Sequence, residues 1–218
     1  MDSRESVVLV NGLWLGDPAL WLLARRLRHA GFRVYTFSYP SVRHDLSTNA
    51  ARLHEFLARV PGTTVHLVGY SLGGLIIRAL FQLQPQQRPG RIVLLGSPQS
   101  GNRAAQAVTR SRVGRVLVGR AMAELIAGTP QRWHWPLRET GVIAGSRSLG
   151  LGRLVARLAV PNDGTVAVEE TAVPGAHAQL VLPVAHFAML LAPAVARQAA
   201  RFLRTGAFVP SRQPAQAG

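Results

Sequence analysis

Val65-His66-Leu67-Val68-Gly69-Tyr70-Ser71-Leu72-Gly73-Gly74 is the stretch that decides the fold. A largely apolar run, suited to a buried strand, stops at Gly69. Directly after it begins the helical spacing of Leu72, Leu75, Ile76, Ala79 and Leu80. Gly69-Tyr70-Ser71-Leu72-Gly73 fits G-x-S-x-G, the pattern of a sharp strand-to-helix turn with a serine at its tip. Such a turn forces its central residue into a sparsely populated backbone region, and glycines two residues to either side leave room for it. It also lifts the hydroxyl clear of the sheet and sets it at a helix N-terminus, where free N–H groups favour developing negative charge. The pattern alone arises often by chance. The legible strand before it and helix after it give it weight in this chain.

The alternation continues in both directions. Ser6-Val7-Val8-Leu9-Val10 is apolar throughout after its serine, as a strand covered on both faces of a parallel sheet should be. Asn11 to Gly16 is a glycine-punctuated loop. Asp17 is expected to cap a helix with Pro18 at its first position, running through Leu20, Leu23, Ala24 and Leu27 to Gly31. Arg33 to Ser38 reads as a second strand, and Leu46 to Val60 as an amphipathic helix capped by Ser47. Beyond the elbow, Arg91 to Leu95, Thr140 to Gly145 and His177 to Val181 read as further strands, the last at an edge. A helical stretch is expected around Leu149 to Leu158, and a closing helix over Ala188 to Leu203. Strand alternating with helix, without internal repeat, predicts an α/β fold: a mostly parallel sheet with helices on both faces. Residues 1–206 are expected to form one domain, with 207–218 a disordered polar tail.

Composition agrees with one globule. At 218 residues the chain can bury roughly 70% of its unfolded surface. It is 48% hydrophobic, with a mean hydropathy of +0.14. No apolar run reaches the ~20 residues of a membrane span, and the polar start Met1-Asp2-Ser3-Arg4-Glu5 gives no secretory signal, so a cytoplasmic location is expected. The lack of cysteine excludes a disulfide scaffold and thiolate metal sites, and no cofactor or metal is expected. The net charge is +15, and all 25 basic residues are arginine. Codon bias in a GC-rich genome accounts for the missing lysine but not for the shortage of acids. A surplus this large draws a protein to anionic surfaces, peripheral membrane contact included, in a salt-dependent way. The basic residues are spread and no reading motif is present, so specific nucleic-acid binding is not expected.

In such sheets sites form outside the carboxyl ends of the strands. Asn11 to Trp14, Ser71, Ser97, Asp163 and His186 all fall there. A serine hydroxyl attacks only when a base removes its proton, and the base must be held in one tautomer by an acid. With a G-x-S-x-G turn the chain order is serine, acid, histidine. His134, His177 and His186 follow Ser71. His186 stands in a loop after the last strand, where a base can hang over the sheet, with His177 the alternative. Among Glu124, Glu139, Asp163, Glu169 and Glu170, the tight Pro161-Asn162-Asp163-Gly164 turn favours Asp163, although Asp is also an ordinary turn former. Glu169 and Glu170 read as solvated. An oxyanion needs two inward N–H groups, expected from Leu72 and from Leu13, with Trp14 the alternative to Leu13.

Five motifs in order, Asn11-Gly12-Leu13-Trp14, Gly69 to Gly74, Gly96-Ser97-Pro98-Gln99-Ser100-Gly101, Asn162-Asp163-Gly164-Thr165-Val166 and Ala185-His186-Phe187, resemble the α/β-hydrolase superfamily. Within it, the likeness is to bacterial lipases and esterases and to the related group that cleaves acyl chains from GPI anchors. The resemblance spans Val7 to Leu203 and implies a Ser71–Asp163–His186 triad acting on acyl esters. Asn11 and Gln99 stand where that family usually carries histidine.

Residues 101–139 occupy the place of that superfamily's cap or lid. Arg103, Arg110, Arg112, Arg115 and Arg120 alternate there with Val113, Val116, Leu117 and Val118, then Met122, Leu125 and Ile126. One expectation is an interfacial cap that meets anionic lipid. The other is a solvated helix packed on the body by its apolar face. The expected activity is hydrolysis of small or lipid-like carboxylic esters, with a histidine base that loses its function below about pH 6.5. Thioesterase or acyltransferase chemistry on the same residues, or a non-catalytic lipid-binding scaffold, are the alternatives. Oligomeric state is not encoded in any motif.

Overall fold

The computed structural model of the chain describes residues 5–128, 138–149 and 158–209. The strands are β1 (Ser6–Val10), β2 (Arg33–Phe37), β3 (Val65–Tyr70), β4 (Ile92–Leu95), β5 (Thr140–Gly145) and β6 (Ala178–Leu182). The helices are α1 (Asp17–His29), α2 (Leu46–Ala58), α3 (Leu72–Leu83), α4 (Arg103–Val108), α5 (Arg112–Ile126) and α6 (Pro193–Thr205). Among the described residues the strands make one sheet in the order β2-β1-β3-β4-β5-β6. Every neighbouring pair is parallel.

Successive residues of a strand face opposite sides of the sheet, and here both sides are covered. Val8, Val10 and Leu67 join the core under α2, α3 and α5, whereas Val7, Leu9 and Val68 join the core under α1 and α6. That two-sided burial is why β1 after Ser6 reads as a continuous apolar run and β3 as a largely apolar one. The chain starts at β1 in the sheet interior, moves out to β2, and returns past β1 to β3 before stepping on to β6. The reversal between β1 and β3 opens a crevice at their carboxyl ends.

Several local expectations need correction. Gly16, not Asp17, is the N-cap of α1, and Asp17 is its first helical residue, accepting a hydrogen bond from the Ser38 hydroxyl. Asp45 caps α2 in place of Ser47, its Oδ1 accepting the Thr48 amide at 2.7 Å, and this contact holds its carboxyl below the usual range. The closing helix is two pieces, a 3₁₀ turn at Phe187–Leu190 and α6, because Pro193 has no N–H to continue a helix and starts a new one. Most of the helix expected over 149–158, His134 with its flanking tryptophans, and residues 210–218 of the tail lie outside the described residues.

In the insertion, α5 breaks at Gly119, where φ 77° and ψ 178° interrupt the helix. The break lets the Arg120 amide bond to the Val42 carbonyl at 3.1 Å. Past it, Ala121, Met122 and Leu125 are buried on the α2–α3 core, and Glu124 accepts the Leu46 amide at 3.3 Å. Before it, Val116 and Leu117 stay exposed. The second half of this helix is therefore packed on the body by its apolar face.

Candidate active site

The elbow forms as its glycines require. Ser71 lies at φ 51° and ψ −121°, a conformation that non-glycine residues adopt at a cost of about 1–3 kcal/mol. A Cβ on Gly69 would sit 2.6 Å from the Gly74 Cα, and one on Gly73 only 2.2 Å from the Val10 carbonyl oxygen. At Gly12 a Cβ would already touch the Tyr70 ring and the Ser71 Cβ at 3.0 and 3.2 Å. The loop after β1 is thus pressed against the serine by backbone contact.

Three side chains remote in sequence meet at this crevice. The Ser71 Oγ lies 3.1 Å from His186 Nε2, and His186 Nδ1 lies 2.6 Å from Asp163 Oδ2. An ionised carboxylate can only accept, so Nδ1 carries the hydrogen and Nε2 is left to accept from the serine hydroxyl. Burial of an unpaired carboxylate would be costly. Asp163 is buried but satisfied, because its Oδ1 accepts the amides of Thr165 and Val166 at 2.9 and 2.7 Å. The His186 amide donates to the Asp163 carbonyl at 2.9 Å, which ties the two loops together by backbone as well.

The other candidates sit elsewhere. His177 accepts the Thr140 amide at 3.2 Å at the start of β5, the end of the sheet opposite Ser71. Glu124 serves the α2 terminus, Glu139 pairs with Arg91, and Glu169 pairs with Arg103 at 3.4 Å. Glu170, expected to be solvated, is buried. Its carboxylate accepts the Arg103 and Ala167 amides at 2.7 and 2.8 Å, and its carbonyl accepts the Gln99 amide. Burial pushes this carboxyl upward, against the pull of those two amides. It fastens the loop after β4 and the start of α4 to the segment that follows Asp163, a role that no local sequence signal announces.

Of the amides near the serine, that of Trp14 donates to the Ser41 hydroxyl at 3.1 Å and is not free. Those of Leu13 and Leu72 have no acceptor among the described residues. Asn11 shapes this loop: its Nδ2 donates to the Leu15 carbonyl at 3.0 Å and to the Ser38 hydroxyl at 2.8 Å. Gln99, buried, donates to the Ser97 hydroxyl at 2.7 Å behind Gly74. Both residues thus build polar braces at positions where the resemblance led one to expect histidine.

Two further residues shape the site without a clear sequence signal. Tyr70 packs its ring 5.1 Å from the His186 ring and donates its hydroxyl to the His186 carbonyl at 3.3 Å. Gly96, at φ 52°, leaves room for the acid–base pair, since a Cβ there would lie 3.1 Å from both Asp163 Oδ2 and His186 Nδ1. A glycine after a strand hints at such an approach, but not at which groups arrive.

This sheet and crevice are those of the α/β-hydrolase fold, and the chain matches the Alpha/beta hydrolase family over residues 7–215. It belongs to that family. Its fold is similar to that of a Bacillus licheniformis lipase, BlEst2, in mature form, at 20% identity, TM-score 0.71, over 86% of this chain and 87% of that one. It is likewise similar to the metagenomic carboxyl esterase MGS0156 (17% identity, TM-score 0.67, 85% of this chain and 65% of that one). The third similar fold is that of carboxylesterase CesB from Bacillus subtilis (15% identity, TM-score 0.59, 95% and 86%). No curated protein matches the chain in sequence. Among the described residues no helix is long and apolar enough to cross a membrane.

Proposed function

We propose that this member of the family is a serine carboxylic-ester hydrolase of esterase or lipase type, working through an acyl-enzyme on Ser71. The observation that carries the reading is the unbroken hydrogen-bonded path from Asp163 through His186 to Ser71, at 2.6 and 3.1 Å. In the proposed cycle His186 Nε2 takes the Ser71 proton as Oγ attacks the ester carbonyl. The amides of Leu72 and Leu13 then hold the oxyanion. As the bond to the alcohol breaks, His186 returns the proton to the departing oxygen. A water deprotonated by the same nitrogen attacks the acyl-enzyme, and His186 passes that proton to Ser71 Oγ as its bond to the acyl carbon breaks and the acid leaves, while Asp163 orients the imidazole throughout.

Trp14 in the oxyanion loop is 63% exposed and Phe187, next to the proposed base, 53%. Exposed apolar side chains in the loop after β1 and next to the proposed base suit an ester with an apolar acyl chain. Ser71→Ala is expected to lower p-nitrophenyl ester turnover by about 10⁴-fold or more and to abolish covalent labelling by a fluorophosphonate. Turnover within tenfold of the parent protein would overturn the assignment.

A further inference from the structure

On the opposite flank from the insertion, α1 and α6 enclose a groove of about 650 Å³. Its walls are Arg25, Arg26 and His29 of α1 and Arg197, Arg201 and Arg204 of α6, and no aspartate or glutamate lines it. Arginine supplies 25 of the 218 residues of the chain, about one in nine, but five of the twelve that line this groove. The concentration exceeds what a generally basic surface gives. None of the residues that meet at Ser71 belongs to it.

The spacing has a physical consequence. Arg197, Arg201 and Arg204 recur at intervals of four and three, so they stack along one side of α6, where like charges oppose the helix. Among the described residues no carboxylate pairs with any of the five arginines. Three of the five are already placed by other contacts. Arg26 donates to the Leu191 carbonyl, Arg204 lies 5.2 Å over the Phe32 ring, and Arg25 lies 5.6 Å over the Trp21 ring. A guanidinium stacked by its face keeps its N–H edge available, and that edge matches two phosphate oxygens at once. The floor between them is made small by Ala30, Ala196 and Ala200, which gives the groove its depth.

We propose that this groove is a binding site for a ligand carrying two or more phosphate charges, separate from the Ser71 crevice. Five clustered cations, three of them held in place, with no internal counter-charge call for a multiply charged anion. A cavity of this volume holds a compact phosphate compound rather than a length of duplex. Soluble polyphosphate and the phosphate headgroup of a lipid present the same chemistry to it.

The test is titration of the whole chain with inorganic tripolyphosphate at low ionic strength. The parent protein is compared with Arg197→Gln/Arg201→Gln and with a control of equal charge loss, Arg52→Gln/Arg59→Gln, two exposed arginines at α2. The groove variant is expected to bind at least tenfold more weakly, to unfold at a temperature no lower than the parent's and to keep its p-nitrophenyl ester turnover, while the control binds as the parent does. Equal loss in both variants would assign the binding to diffuse charge and overturn the proposal, as would no binding at millimolar tripolyphosphate. A duplex oligonucleotide that binds more tightly than tripolyphosphate and depends on the same two arginines would also overturn it. Co-sedimentation with phosphatidic acid vesicles separates the two sources. Its loss in the groove variant alone supports the site with a lipid headgroup as occupant. Unchanged sedimentation beside groove-dependent tripolyphosphate binding supports it with a soluble one.

Discussion

The elbow and the insertion helix α5 both turn on a glycine, yet they are held by different means. At the elbow, backbone lies against backbone: Gly73 leaves no room between α3 and the Val10 carbonyl, and Gly69 none beside Gly74. In α5 the break at Gly119 serves one amide, that of Arg120, and the half of the helix before it is tied on by the Trp14 indole donating to the Leu117 carbonyl at 2.9 Å. Close backbone approach dictates residue type at every position it touches. A helix hung from a few carbonyls could be hung from them by many sequences. The first region should therefore fail all at once under substitution, and the second by degrees.

Gly73→Ala is the hardest test of the contrast. The new methyl would meet the Val10 and Asn11 carbonyl oxygens at 2.2 and 2.6 Å, both of them backbone, so α3 and the loop carrying Leu13 must part. A loss of about 3 kcal/mol in unfolding free energy is expected, together with at least a hundredfold fall in ester turnover. Chemical denaturation and initial rates measure the two effects. A variant within 0.5 kcal/mol (a loss no larger than an ordinary surface change) would show that the elbow yields where the contact distances say it cannot.

Gly119→Ala sharpens the other side. Its backbone lies in a region that glycine alone occupies freely, and a Cβ would approach Val42 to 2.6 Å. About 2 kcal/mol is expected to be lost as α5 lifts or straightens. The rate of fluorophosphonate labelling per folded molecule should stay within about twofold, because Ser71, Asp163 and His186 make no hydrogen bond with this helix among the described residues and its tie to the site is the Trp14 indole, outside the hydrogen-bonded path. A labelling rate that fell with stability would join the two regions into one mechanical unit.

The same contrast explains what could be read in advance. Ser71, Asp163 and His186 were legible because each stands in a turn after a strand, and the sheet puts those turns at one rim. The parallel order follows from strand alternating with helix, and the continuous apolar run of β1 agrees with it because burial on both faces calls for one. The caps of α1 and α2 lie one and two residues before the positions that the sequence favours, since Gly16 and Asp17, or Asp45 and Ser47, are near equals as caps and tertiary contacts choose between them. Glu170 is hidden from the sequence for a related reason. Two adjacent glutamates look alike in sequence, and only the path of the chain after Asp163 turns one of them inward to meet two amides. The arginine groove was visible as an excess of charge but not as a place, because α1 and α6 are about 160 residues apart and only folding sets them side by side.

The smallest expected effect compares the two ends of β3 itself. At the carboxyl end it delivers Ser71 to a histidine; nearer the amino end, His66 is buried with no reacting group beside it. His66 Nδ1 accepts the Arg91 amide at 2.8 Å and Nε2 lies 3.1 Å from Glu5 Oε2. Burial draws its pKa below the ordinary value, against the opposing pull of Glu5. The unfolded chain therefore takes up a proton near pH 6.5 that the folded chain refuses, so the contribution of neutral His66 is complete above that pH and is lost as pH falls toward the folded value. The denaturation midpoint should drop between pH 7.5 and pH 5, less steeply in His66→Gln, which has no proton to gain. Glu5→Gln should steepen the drop, because it removes the one carboxylate that favours the charged ring. Parallel slopes in all three proteins would show that His66 is not the source of the acid sensitivity.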